Sequence, residues 1–107
     1  MITVKVTYTV SAEFAQRNIA NVNTFMQALR QLNNPAIRYV SYLGEDGKTF
    51  THIAQYDNAA AQREFLAMPA FLEFQRQRDA SGLEKPQHVE TMQVVAASYD
   101  LFTSLNS

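Results

Sequence analysis

From Ile2 to Val10 the chain alternates without a break. Ile2, Val4, Val6, Tyr8 and Val10 point one way, and Thr3, Lys5, Thr7 and Thr9 point the other. A repeat of two carried by β-branched residues predicts a strand. The period then changes. Ala15, Ile19, Val22, Phe25, Met26, Leu29 and Leu32 recur at helical spacing, which predicts a helix from about Ala12 to Leu32, with Ser11 as its N-cap. Asn33-Asn34-Pro35 ends it, because a proline disfavours helical geometry in the residue before it. Strands follow over 36–43 and 49–56, joined by Gly44-Glu45-Asp46-Gly47, whose Asp-Gly pair is a hairpin signal. Asp57-Asn58 caps a second helical region with Ala61, Phe65 and Met68 on its apolar stripe. Pro69 interrupts this region and opens a further segment that carries Phe71, Leu72 and Phe74 and stops near Ser81-Gly82. Gly82 to Pro86 reads as a loop and Gln87 to Tyr99 as a fourth strand. Residues 100–107 form a tail whose Leu101, Phe102 and Leu105 need cover.

The element order is βαββαβ. Right-handed crossovers joined by a hairpin predict a ferredoxin-like α+β domain over residues 1–107, a four-stranded antiparallel sheet with two helices on one face. The strands are apolar on both faces: Ile37, Tyr39 and Leu43 oppose Val40 and Tyr42, and Val89, Val95, Ala97 and Tyr99 oppose Met92, Val94 and Ala96. A sheet with one wet face would alternate apolar with polar. The pattern therefore predicts a homodimer, two sheets face to face.

Composition narrows the partners. The chain has 107 residues, net charge -1 and no Lys/Arg cluster, so a nucleic-acid partner is not expected. It has no Cys, which removes disulfides and thiolate chemistry and fits a cytoplasmic protein. No apolar run reaches the roughly 20 residues of a membrane span, and Met1-Ile2-Thr3-Val4 reads as strand rather than as a signal peptide. His52 and His88 stand far apart, so no metal site is expected, and no glycine-rich loop suggests a phosphate-bearing cofactor.

Candidate chemistry gathers on the third strand, where Phe50, His52, Ala54 and Tyr56 share a face. A histidine between aromatics can move a proton near neutral pH, and a tyrosine can donate to a developing oxyanion, so His52 and Tyr56 are the catalytic candidates. A core histidine satisfied by a neighbour would give the same pattern. Phe50, Thr7, Thr9, Phe65, Phe71 and Phe74 are the candidate substrate contacts. Lys5, Thr7 and Thr9, the polar face of the first strand, either line the same cavity as His52 or face solvent, and the phenylalanines either wall it or fill the core. Arg76 and Arg78, beside Glu73 and Asp79, read as a solvated helix face.

Four stretches carry a wider likeness: ITVKVTYTV, KTFTHIAQYDNAAAQREFL, MPAFLEFQ and VETMQVVAAS, in that order along nearly the whole chain. Together they resemble the dimeric α+β barrels of the antibiotic biosynthesis monooxygenase type. The resemblance implies a homodimeric barrel with a pocket for a small aromatic. Some members of that type oxidise polycyclic phenols or quinols with O2 and no cofactor, so the resemblance also implies such an oxidation here. Tyr56 stands where the family often has Trp. Residues 58–81 contain no histidine of the kind the haem-degrading branch uses, and the polar face of the first strand offers Thr and Lys in place of that branch's Asn. Tyr56 and Arg38 are the candidate counterparts of the polar set in the aromatic-oxidising members. Two other readings stay open: a non-catalytic binding or stress-associated dimer, and an interaction protein whose tail clamps a neighbour through Leu101 and Phe102.

Overall fold

The computed structural model describes residues 1–102. Its elements are β1 (Ile2–Thr9), α1 (Ala15–Leu32), β2 (Ile37–Leu43), β3 (Thr49–Tyr56), α2 (Ala59–Leu66), α3 (Pro69–Ala80) and β4 (Lys85–Met92). The strands form one antiparallel sheet in the order β2-β3-β1-β4, the ferredoxin-like arrangement the pattern predicts. All three helices pack on the face that carries Tyr8, Phe50, His52, Ala54 and Tyr56, and Phe25 of α1 meets Tyr39, His52, Phe65, Phe71 and Phe74 ring to ring. A completely buried ring with five aromatic neighbours gains area burial and edge-to-face attraction together, so Phe25 is the centre of the core.

Local chemistry explains most boundaries. Asn33 takes the left-handed C-cap of α1 at φ 54°. In the hairpin, Asp46 Oδ1 accepts from the backbone N–H groups of Lys48 and Thr49, and Gly47 supplies the positive φ. Asn58 caps α2, its Oδ1 accepting from Ala61 N at 2.8 Å. Met68 is extended because Pro69 follows it, so the second helical region is two helices, and the total is three rather than two.

Three boundaries differ from the sequence reading. Helix α1 begins at Ala15, not Ala12, because Ser11 closes a separate turn: Phe14 N donates to Ser11 O at 3.0 Å. Strand β4 begins at Lys85 and takes in Pro86. This is tolerated because β4 is an edge strand whose register against β1 slips between Thr7 and Thr9. The same strand ends at Met92 rather than Tyr99, since its one neighbour runs out there: Met92 pairs with Thr3, at the start of β1.

The segment after Met92 turns under the open face of the sheet. Phe102 is buried, the guanidinium of Arg38 lies 5.4 Å from its ring centre, and Thr3 is covered. Leu105 lies outside the described residues. Beyond this covered end, the open face is mixed. Val40 and Tyr42 are exposed and Ile53 half-buried, beside Lys5, Thr7, Thr51 and Glu90.

Candidate functional site

The sheet register builds the site. On the helix-covered face, Val6 lies opposite His52, Tyr8 opposite Phe50, and Tyr39 opposite Ala54. Tyr8 and Tyr39 therefore stand diagonally on either side of His52, within reach of long side chains. Both reach it. Tyr8 Oη is 2.9 Å from His52 Nε2, and Tyr39 Oη is 2.6 Å from His52 Nδ1. Behind Tyr8, Asn18 of α1 donates from Nδ2 to Tyr8 Oη at 2.8 Å. The result is a buried chain, Asn18–Tyr8–His52–Tyr39, with Phe25 and Phe74 against the imidazole.

The proton positions follow from satisfying each atom. With Asn18 donating to it, Tyr8 has one proton to give, and His52 Nε2 is the acceptor in reach. His52 then carries its proton on Nδ1 and donates to Tyr39, whose own O–H is left for the cavity. The opposite tautomer would bury Tyr8's proton without an acceptor, or, with the Asn18 amide turned over, would bury an amide NH2 without partners. The chosen arrangement leaves Asn18 Oδ1 unpaired, and an orphan acceptor costs less than orphan donors.

Burial keeps the chain uncharged. It holds the His52 pKa down at about 4, helped by the positive charge of Arg78. Tyr8 and Tyr56 are each pushed up to about 12, mainly by burial, and Tyr39 is raised by burial still further. All three tyrosines are neutral donors at pH 7.

A cavity of about 230 Å³ lies against this chain, with Val4, Val6, Tyr39, His52, Ala54 and Tyr56 from the sheet and Phe65, Phe71 and Arg78 from the helices. Its mouth lies between β4 and α2, where Leu66, Gln87, Val89 and Thr91 are exposed. An apolar cavity of roughly 150 Å³ accommodates benzene, so this space suits one substituted ring rather than a fused polycycle. Among the described residues, no group of three or more His, Cys, Asp or Glu could hold a metal ion. No helix there is long and apolar enough to cross a membrane.

His52, Tyr56, Phe65 and Phe71 come together around this space. Phe50 and Phe74 pack behind it, Phe50 stacked on Tyr8 and Phe74 against His52. Thr7 and Thr9 do not line it. They occupy the opposite face of the sheet, where Thr9 Oγ1 meets Thr49 Oγ1 at 2.9 Å. A strand puts neighbouring side chains on opposite faces, and Tyr8 takes the inner one. Arg38 faces the same way as Thr3, away from the cavity. His52 cannot take a substrate's proton directly, because both of its nitrogens are bonded to tyrosines.

Sequence reasoning missed Asn18, Tyr8, Tyr39 and Arg78 as site residues. Arg78 is buried, not solvated. Its Nε bonds Asp79 at 2.9 Å, and its guanidinium lies over the rings of Tyr8 and Phe74. The signal was present: Arg78 follows Phe74 by four residues and Phe71 by seven, and Asn18 precedes Val22 by four and Phe25 by seven. Both are polar residues on apolar stripes.

The sequence profile of the antibiotic biosynthesis monooxygenases matches residues 1–77. No curated protein matches the sequence. Among solved structures, the Mycobacterium tuberculosis protein Rv0793 superposes with a TM-score of 0.77 at 17% identity, over 92% of this chain and 98% of that one. A structure described as an antibiotic biosynthesis monooxygenase superposes at 0.71 and 14% identity, over 90% and 100% of the two chains. A conserved protein of Methanosarcina mazei Go1 gives 0.72 at 14%, over 86% and 90%. At these identities the structural likeness establishes the fold.

The buried histidine predicts a pH dependence of stability. Unfolded His52 takes up a proton near its ordinary pKa of 6.5, while the folded form resists until about 4. Stability is therefore full above pH 6.5 and falls as pH drops to 4, by about 3 kcal/mol. In urea unfolding across this range, His52→Gln should lose that much less than wild type. Parallel curves would show that the imidazole is not held neutral.

Proposed function

Because the chain belongs to the antibiotic biosynthesis monooxygenase family, we propose that it oxidises a single-ring phenol or quinol with O2 and without a cofactor. The observation that carries this reading is the Tyr39 hydroxyl, oriented by His52 toward an apolar cavity of one-ring size. A donor fixed before substrate arrives favours the phenolate over the phenol, and a low-dielectric wall strengthens that preference. The electron-rich anion passes electrons to O2. One C–O bond forms at the ring, the O–O bond breaks, and the second oxygen leaves as water with two substrate hydrogens. A quinol thus becomes a hydroxyquinone. Tyr56, Phe65 and Phe71 contact the ring in this reading, His52 acts through Tyr39, and Asn18 through Tyr8.

Oxygen uptake with a panel of single-ring quinols tests the proposal. Wild type should consume one O2 per quinol, and Tyr39→Phe should lose about 10²-fold in kcat, the typical cost of one oxyanion donor. His52→Ala should fall similarly; a rate equal to wild type would remove His52 from the mechanism. One feature favours a second reading, a dimer that binds an aromatic metabolite unchanged: no unbonded base lines the cavity. Saturable binding without oxygen uptake would select it.

We place a second copy of the chain on the open sheet face, over Val40, Tyr42 and Ile53. An exposed apolar strip between polar neighbours suits a two-fold contact. Light scattering at micromolar concentration should give twice the mass of the chain, and Ile53→Glu should give the monomer. A monomeric wild type would overturn this placement.

A further inference from the structure

The cavity carries one charged side chain that the proposed oxidation leaves unused. Arg78 is only 4% exposed, which is unusual for arginine and costly unless the charge is compensated. Its compensation is one-sided. Nε bonds Asp79, whose carboxylate is largely exposed to water. The two terminal amino groups have no hydrogen-bond partner among the described residues, and the guanidinium face rests on the rings of Tyr8 and Phe74. No acidic residue lines the cavity. A guanidinium locked by stacking, with its outer edge at an apolar cavity, is a fork waiting for a planar pair of oxygens.

We infer that Arg78 is the specificity anchor of this cavity and that its ligand is a single-ring aromatic carrying a carboxylate. The inner walls are mainly aliphatic and aromatic, as a ring needs, with the uncharged Gln62, Gln75, Gln87 and Thr91 among the other lining residues, and Tyr39 offers a neutral donor for a ring hydroxyl. A ring with an acid group and a hydroxyl thus finds a partner for each group, and no buried anion faces its charge. The inference deepens the proposed oxidation, but it concerns binding alone and stands or falls separately.

The test is binding of benzoate, 4-hydroxybenzoate and the neutral isosteres benzamide and 4-hydroxybenzamide, measured by calorimetry or ligand-observed NMR. In wild type each acid should bind at least tenfold tighter than its amide. Arg78→Met, which keeps an unbranched apolar side chain in place of the arginine stem, should abolish that preference, the acids losing at least tenfold more affinity than the amides. Arg78→Lys should retain part of it. Chloride and sulfate at the same concentration should not displace the acids; displacement by either would mean a general anion site and overturn the aromatic assignment. Equal affinity for acid and amide in wild type would overturn the inference even if Arg78→Met fails to fold. If the acids bind as stated but the quinol panel consumes no O2, the anchor holds and the oxidation fails. If the quinol panel consumes O2 but acid and amide bind equally, the oxidation holds and the anchor fails.

Discussion

The structure depends on keeping one imidazole neutral inside an aromatic core. His52 is almost completely enclosed, and its position on a central strand puts it among Phe25, Phe74 and the two tyrosines. A polar ring in such surroundings is tolerable only if both nitrogens are paired, because an unpaired buried donor or acceptor costs a kcal/mol or more. The sheet register provides the pairing by putting a tyrosine diagonally on each side. Helix α1 completes it, since Asn18 decides which way Tyr8 donates. The proton order along four residues therefore follows from one amide on one helix.

That order is what gives the cavity a direction. A histidine with a free nitrogen would present either a donor or an acceptor, depending on pH. Here both nitrogens are engaged, and what reaches the cavity is the Tyr39 hydroxyl, a donor that burial keeps protonated. Arg78 fixes the rest of the electrostatics: it depresses His52 further and places one positive charge in the cavity wall. The opening beside β4 exists because β4 is an edge strand whose inward-facing Val89 is left half uncovered by the helices.

Much of this was legible in the sequence. Period-two and helical stripes placed every element, because burial of one face dictates both periods, and Phe50, His52, Ala54 and Tyr56 were correctly assigned to a single face. The cavity's polar content was not. Tyr8 and Tyr39 passed as apolar stripe members, since a tyrosine contributes its ring to the pattern and conceals its hydroxyl. Arg78 passed as surface because its neighbours in sequence are acidic, although its spacing from Phe71 and Phe74 puts it inside. The alternation of β1 does not encode which of its faces adjoins the cavity; the pairing of Val6 with His52 decides that, and it puts Thr7 and Thr9 on the other face. The length of β4 depended on where its partner strand ends, which no local pattern reveals.

The most direct test of this account is the protonation state of His52, read from the imidazole nitrogens by long-range ¹⁵N NMR as pH is varied. The proton should sit on Nδ1, with Nε2 bare, and the ring should not titrate until the pH approaches about 4. A proton on Nε2, or a titration near the ordinary 6.5, would contradict it.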